Sequence, residues 1–275
     1  YFVEILRGVV LRGAGAAEHA RSTSPPSHER VAMNEAPRNA PTLGAKTVKC
    51  PRCGKPIAWY DNVPLLSWLA LGGRCRHCRK SISARYPLVE ACTGLLAAGL
   101  QWRWPGRPCW GAAAALACGA LLAVALIDWE TFLIPDELSL GLAVAGLIFS
   151  PLNPYLDAEG RWRLCAWWSL RGALFGFALG WGLAAAGEAL FKKEALGGGD
   201  VKLLAGVGAW TGMTGVFDCL MIGSLLGSVY GVWLLAAGRA KRSDPIPFGP
   251  FLSFGAVFNF FFLLPLGWPL LSLTP

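Results

Sequence analysis

Residues 195–210 read ALGGGDVKLLAGVGAW. Three glycines run into Asp200, and an apolar stretch follows at once. A carboxylate at the mouth of an apolar helix has two ordinary explanations. It caps the helix, or it does chemistry at the edge of a low-dielectric phase, where ionisable groups are rare and commonly functional. What surrounds the stretch decides between them, and decides the fold class as well.

The surroundings are apolar. Of 275 residues, 54% are hydrophobic and 15% charged, and the mean hydropathy is +0.45. A soluble domain carries about 25% charged residues, so the profile is that of an all-α polytopic membrane protein. Seven apolar segments follow Tyr86, at about 87–104, 109–127, 137–152, 169–191, 201–214, 216–237 and 248–272. This predicts about seven transmembrane helices within a membrane domain spanning 86–275. The fifth segment is short and Gly-rich and reads as a partial or tilted helix. Gly and Ala recur at close spacing in GLLAAGL, GFALGWGLAAAG and GSLLGSVYG, which lets helix backbones approach closely in a bilayer.

Residues 1–85 differ in kind and hold 14 of the 25 Lys and Arg. YFVEILRGVVLR at 1–12 is too short and too charged to cross a bilayer, which takes about 20 apolar residues. Residues 1–47 read as a linker or divergent N-terminus. With 1–85 in the cytoplasm and alternating segments, 20 Lys and Arg fall on the cytoplasmic side and 5 on the other. The positive-inside bias therefore accounts for the basic region, and no nucleic-acid partner is needed to explain it. The loops 128–136 and 192–200 then share the cytoplasmic face.

The cysteines divide in the same way. Cys50, Cys53, Cys75 and Cys78 form two C-x-x-C knuckles, CPRC and CRHC, with 21 residues between them. Two such turns supply the tetrahedral S₄ shell that structural Zn²⁺ favours. Disulfides, a redox pair or an iron–sulfur cluster are the alternatives, and a cytoplasmic location disfavours the first. A closed shell leaves no position for substrate, so the metal is expected to staple a small cytoplasmic domain at 48–85. His77 reads as a bystander. Cys92, Cys109, Cys118, Cys165 and Cys219 occur singly in apolar stretches and read as packing residues.

Carboxylates cluster at two places on the expected cytoplasmic edge. One is ALIDWETFLIPDELS, where Asp128 ends the second apolar segment and Asp136 opens the third; the other is GGGD. Two aspartates close enough to share a proton divide the work of hydrolysis. The ionised one takes a proton from water and the protonated one donates to the carbonyl oxygen. Glycines before Asp200 would let a substrate strand approach the backbone, and Lys202 would tune the local field or snorkel. Capping roles for Asp128 and Asp136, and a proton-coupled transporter, remain open on these residues alone.

Four blocks in order make the sequence resemble a known family. They are CPRCGKPIAWYDNVPLLSWLALGGRCRHCRKSISARYPLVE, IDWETFLIPDELS, GGGDVKLLAGVGAWTG and PIPFGPFLSFG. Together, across about 48–255, they resemble the bacterial type IV prepilin peptidases, aspartic proteases of the GxGD class that serve pilus and type II secretion systems. The resemblance implies a multi-pass inner-membrane endopeptidase that removes the short basic leader of prepilins or pseudopilins. It implies Asp128 and Asp200 as the catalytic pair, Gly197 and Gly199 as the motif glycines, and Asp136 as the second acidic position of its block. Members with the four-cysteine domain also methylate the new N-terminus with S-adenosylmethionine, whose site no Gly-rich fingerprint marks here. Glu90 and Asp61 offer an anionic surface for the basic leader. Members usually begin with a membrane helix ahead of the cysteine domain, and residues 1–47 contain none. The rivals are a transporter, which would call for inverted repeats, and a non-catalytic assembly scaffold.

Overall fold

The structure is a computed structural model that describes residues 50, 53–63, 65–156, 161–192, 196–239, 241 and 245–262. The expected linker at 1–47 lies outside them, as does the last apolar segment beyond Phe262. Every named element among the described residues is helical. In chain order these are α1 (Leu66–Ala70), α2 (Arg85–Arg103), α3 (Pro108–Thr131), α4 (Asp136–Phe149), α5 (Trp162–Phe191), α6 (Gly198–Ala236) and α7 (Gly249–Phe261), with short 3₁₀ turns between some of them. The chain divides into two compact units at Gly94, inside α2. The first holds the cysteine knuckles; the second is the helical bundle.

Local chemistry sets the helix ends. Pro108 opens α3, where its missing N–H is no loss. Phe132 closes α3 in the left-handed conformation, its N–H returning to the Asp128 carbonyl. Pro135 stands immediately before α4, and Asp136 and Glu137 occupy the first turn, where the helix dipole favours negative charge. The segment expected at 169–191 begins seven residues earlier, at Trp162. The expected segment stops short because Arg163 interrupts the apolar run, yet Arg163 lies over the Trp162 ring, as Arg171 within the segment lies over Trp168.

Among the described residues, three helices are long and apolar enough to cross a membrane: Pro108–Thr131, Trp162–Leu190 and Gly198–Ala236. The count of seven spans is therefore not reached by length, because α4 has 14 residues and α7 has 13, or about 20 Å each at 1.5 Å per residue. The third span also hides a reversal. Gly212 sits at φ 68, ψ −168 in the middle of α6, a conformation glycine adopts freely. Before it, Val201, Leu204 and Gly208 meet Gly180, Gly176 and Gly172 of α5 in turn. After it, Gly215, Cys219, Gly223 and Gly231 meet Asn259, Gly255, Leu252 and Ile246 in turn. Gly208 faces Val216 across the bend. The two limbs, 198–211 and 213–236, are thus antiparallel, and the sequence-based break between 214 and 216 falls beside the actual one.

Glycine makes the bundle tight. A Cβ built at Gly172 would lie 2.1 Å from the Gly208 carbonyl oxygen, one at Gly208 would lie 2.1 Å from the Gly172 oxygen, and one at Gly176 would lie 2.2 Å from the Leu204 oxygen. The three α5 glycines, 172, 176 and 180, recur every fourth residue and so share one helix face. Backbone groups loosened at the bend find side-chain partners: Asn153 Nδ2 donates to the Trp210 carbonyl, and Asn259 Nδ2 donates to the Gly215 carbonyl at 2.8 Å. In a medium without water such partners are obligatory. Trp110, Trp210, Phe260 and Tyr155 pack together at this end of the bundle. Of the single cysteines, Cys118, Cys165 and Cys219 are buried as packing residues, whereas Cys92 is partly exposed and Cys109 is exposed.

Candidate active site and metal centre

In the first unit the two knuckles repeat one geometry. Cys50 N–H donates to the Lys55 carbonyl and Cys75 N–H to the Lys80 carbonyl, both at 2.9 Å; Gly54 and Arg79 return their N–H groups to the carbonyls of Cys50 and Cys75. The residue four after the first cysteine of each knuckle is left-handed, Gly54 at φ 68 and Arg79 at φ 55. The second knuckle therefore places an arginine where the first uses glycine. The Sγ atoms of Cys50, Cys53, Cys75 and Cys78 all lie within 4.8 Å of one another. A tetrahedron with Zn–S bonds of about 2.3 Å has edges of roughly 3.8 Å, so the four thiols fit one ion with little adjustment, and His77 is outside the cluster. The Cys53 thiol is opposed from two sides. The Lys55 amide favours its thiolate, but desolvation and the neighbouring Cys50 and Cys78 thiols outweigh that and push it up to about 11. Thiols crowded in this way are what a divalent cation would convert to thiolates.

Two acidic residues considered for leader recognition have internal partners in this unit. Asp61 accepts from Arg76 Nε at 2.7 Å and Nη2 at 2.6 Å, a bidentate pair beside the second knuckle. The Arg76 guanidinium holds the Asp61 carboxyl below its ordinary range. Glu90 Oε2 accepts from the N–H of Leu65 at 3.1 Å, and Leu65 is a left-handed residue at the start of α1. Both carboxylates thereby brace the loop between the knuckles.

In the bundle, the ends of α3, α6 and α7 opposite the aromatic cluster converge on Ile134. A Cβ at Gly199 would lie 2.9 Å from Ile134 Cβ, and one at Gly249 would lie 3.1 Å from Ile134 Cδ1. Asp128 approaches from α3, 5% exposed, and Asp200 from α6, 9% exposed. Asp200 lies within reach of the Asp128 charge. Each carboxylate is held by a backbone amide: Gly249 N–H donates to Asp128 Oδ2 at 2.9 Å, and Gly197 N–H to Asp200 Oδ2 at 3.3 Å. Asp200 is the third residue of α6, so its side chain also closes that helix start. Capping and chemistry are compatible here.

The glycines before Asp200 separate by role. Gly199 is a packing requirement, since Ile134 fills the space beside it. Gly198 has nothing within 4 Å of a Cβ and leaves the backbone open. Asp136 stands apart from the buried pair: Lys202 Nζ donates to both its oxygens, at 2.7 and 2.8 Å, and the two side chains are 57% and 38% exposed. Gly249 and Ile134 were not singled out by the sequence reading, although PIPFGPF was among its blocks; a backbone donor leaves no residue-type signal. Asp218, in the return limb of α6, was also missed. It is 1% exposed, and neither carboxylate oxygen has a hydrogen-bond partner among the described residues.

Comparison with known proteins finds two family models and several relatives along the chain. Residues 25–104 match the bacterial peptidase A24 N-terminal domain, and residues 115–232 match the type IV leader peptidase family. The chain is 42% identical over 205 residues to a prepilin leader peptidase/N-methyltransferase of Aeromonas salmonicida, covering 74% of this chain and 67% of that one. It is 38% identical over 217 residues to the protein of that name from Burkholderia pseudomallei, covering 78% and 67%. With that from Pseudomonas aeruginosa the identity is 36% over 228 residues, covering 82% and 76%. No solved structure matches.

Proposed function

The chain belongs to the type IV leader peptidase family, and from that premise we propose that it is a membrane aspartic endopeptidase that removes the short basic leader of prepilins or pseudopilins. The observation that carries the reading is a pair of buried carboxylates at one end of the bundle, each braced by a glycine amide, where Gly199 and Gly249 both pack against Ile134. Asp128 and Asp200 hold a water between them. The ionised member takes its proton as the oxygen attacks the scissile carbon, and the protonated member donates to the carbonyl oxygen. The open backbone at Gly198 gives the peptide room to lie against the start of α6. Lys202 is paired with Asp136 and shapes the field at the rim.

The seven apolar segments are read as membrane-embedded helices of an inner-membrane protein, with the carboxylate end and the cysteine unit on the cytoplasmic face. Cys50, Cys53, Cys75 and Cys78 hold Zn²⁺, which supplies cross-linking and no chemistry at the peptide bond. Methylation of the new N-terminus from S-adenosylmethionine is proposed on likeness to the relatives alone, and no residue here is assigned to it.

The test is cleavage of a prepilin-type substrate by purified protein in detergent, with Asp128→Ala and Asp200→Ala in parallel. The expected result is an active wild type and two inactive variants that keep their zinc and thermal stability. An inert wild type, or a variant that still cuts, overturns the carboxylate pair.

A further inference from the structure

One side of the bundle is short for an ordinary bilayer. α4 has 14 residues, about 20 Å at 1.5 Å per residue, against a hydrocarbon core of about 30 Å. Leu140, Val144 and Ile148, at every fourth residue, form its exposed apolar stripe. Charge bounds the stripe at one end, where Asp136 and Glu137 open the helix and Lys202 pairs with Asp136. At the other end the helix gives way to 3₁₀ turns at Ser150–Leu152 and Pro154–Leu156, and Pro151 and Leu152 are exposed. Irregular backbone facing lipid does not occur within hydrocarbon, so the lipid–water boundary falls at the end of α4. Arg171 marks the same level on α5. Gly146, in the last turn of α4, meets Ala209, and Gly172 meets Gly208, so Arg171 and the end of α4 lie at one height. Arg171 is exposed, among the exposed Trp167, Leu170 and Leu174. Its guanidinium lies over the Trp168 ring at 4.6 Å, one turn toward the start of α5. It has no ion pair among the described residues.

We propose that phospholipid headgroups beside α4 and α5 are drawn inward until their phosphates meet Arg171, so that the bilayer is thinned along this side of the bundle. The inference rests on the membrane reading of these helices and adds to it a lipid-contact site that the peptide chemistry does not need. Two charged levels set the thickness, Asp136 with Glu137 at one end and Arg171 at the other. A bilayer of ordinary depth would bury one of them, and a guanidinium in hydrocarbon without a partner is costly. Thinning the bilayer beside a short apolar stretch costs little per ångström. A guanidinium gives two parallel hydrogen bonds to a phosphodiester, and the Trp168 indole suits headgroup depth. The stripe on α4 is assigned to acyl chains because polar groups bound it at both ends, as headgroup layers bound hydrocarbon.

The experiment places the full chain in nanodiscs of dimyristoleoyl-, dioleoyl- or dierucoylphosphatidylcholine, which share a headgroup and differ in hydrocarbon thickness. Thermal unfolding is followed in each lipid for wild type, Arg171→Leu, Arg171→Lys and Arg239→Leu. Arg239, an exposed arginine over Trp233 just past the return limb of α6, is the control. Wild type is expected to unfold at the highest temperature in the thinnest lipid, with Tm falling by at least about 3 °C at each lengthening of the chains. Arg171→Leu should reduce each fall to less than about 2 °C, because only the end of α4 then resists a thicker bilayer. Arg171→Lys keeps a cation for the phosphate and should follow wild type, as should Arg239→Leu. A wild-type optimum in dioleoyl or dierucoyl lipid would overturn the inference. So would a wild-type series flat across the three lipids, as a protein covering the stripe would give, or an Arg171→Leu series parallel to wild type. Each of these leaves the peptidase reading intact, and prepilin cleavage in the same discs reports on that reading separately. A chain that fails to float with liposomes of any of the three lipids would bring down the membrane reading and the inference with it.

Discussion

Gly249→Ala is the sharpest single perturbation the geometry suggests. The Gly249 amide lies 2.9 Å from Asp128 Oδ2, and an added Cβ would fall 2.8 Å from that same oxygen and 3.1 Å from both Asp128 Cγ and Ile134 Cδ1. All the obstacles are ends of side chains, so the main chain need not move. The carboxylate swings aside and gives up a charge-assisted hydrogen bond, worth about 1.5–3 kcal/mol. If that bond positions the reacting group, kcat falls by roughly 10- to 150-fold at 1.36 kcal/mol per decade. KM for a prepilin-type substrate should stay within about threefold, because substrate is bound elsewhere. Steady-state cleavage kinetics should be run beside thermal unfolding and zinc analysis. A variant that cuts within twofold of wild type would refute the positioning argument. So would one whose lost activity tracks a collapse in Tm, since the contact would then be a packing contact.

Other substitutions separate kinds of contact. Gly172→Ala and Gly176→Ala meet carbonyl oxygens rather than side chains, so the helices must part. Each should cost about 2–4 kcal/mol, read as a lowered unfolding midpoint in detergent, with Gly198→Ala as a sterically free comparison. Lys202→Ala breaks an exposed pair; such pairs contribute about 0–1 kcal/mol, so stability should be unchanged and cleavage should fall less than about fivefold. Chelation, or Cys75→Ser, should make the cysteine unit sensitive to limited proteolysis before the bundle is touched. Because Arg76 lowers the Asp61 carboxyl, the pair's contribution is complete above the unfolded value near 3.9 and is lost as pH falls through the lower folded one. The order of the cysteine unit, followed by proteolysis between pH 5 and 3, should therefore depend less on pH in Asp61→Asn than in wild type.

What was legible in advance is what residue type alone conveys. Apolar runs mark the helices because burial in lipid tolerates little else, and the division between 214 and 216 was visible because Thr211–Gly215 interrupts the run with small and polar residues. Cys50, Cys53, Cys75 and Cys78 were legible because metal chemistry restricts both type and spacing. Asp128 and Asp200 stood out as carboxylates at apolar edges. The donors that hold them did not, because the amides of Gly249 and Gly197 belong to the backbone. Glu90 and Asp61 were visible as charges, but their partners were not. Leu65 is 25 residues from Glu90, and its contribution is an N–H exposed by a left-handed turn. The start of α5 at Trp162 was missed because Arg163, lying over the Trp162 ring, does not end a helix as an isolated charge would.

The mutual contact of Gly172 and Gly208 also bears on how such a protein can change over time. Most tight places can drift in pairs. Gly111 faces the Gln101 side chain and Gly99 faces the Phe261 ring, so a smaller neighbour would make room for a larger residue in either place. Gly172 and Gly208 have no such escape, because each is blocked by the other's carbonyl oxygen, and every amino acid carries that oxygen. No second-site replacement at the contact can relieve the first. In a saturation library scored for folding, these two positions should tolerate glycine alone in every background, while Gly111 and Gly99 become permissive once their partners are trimmed.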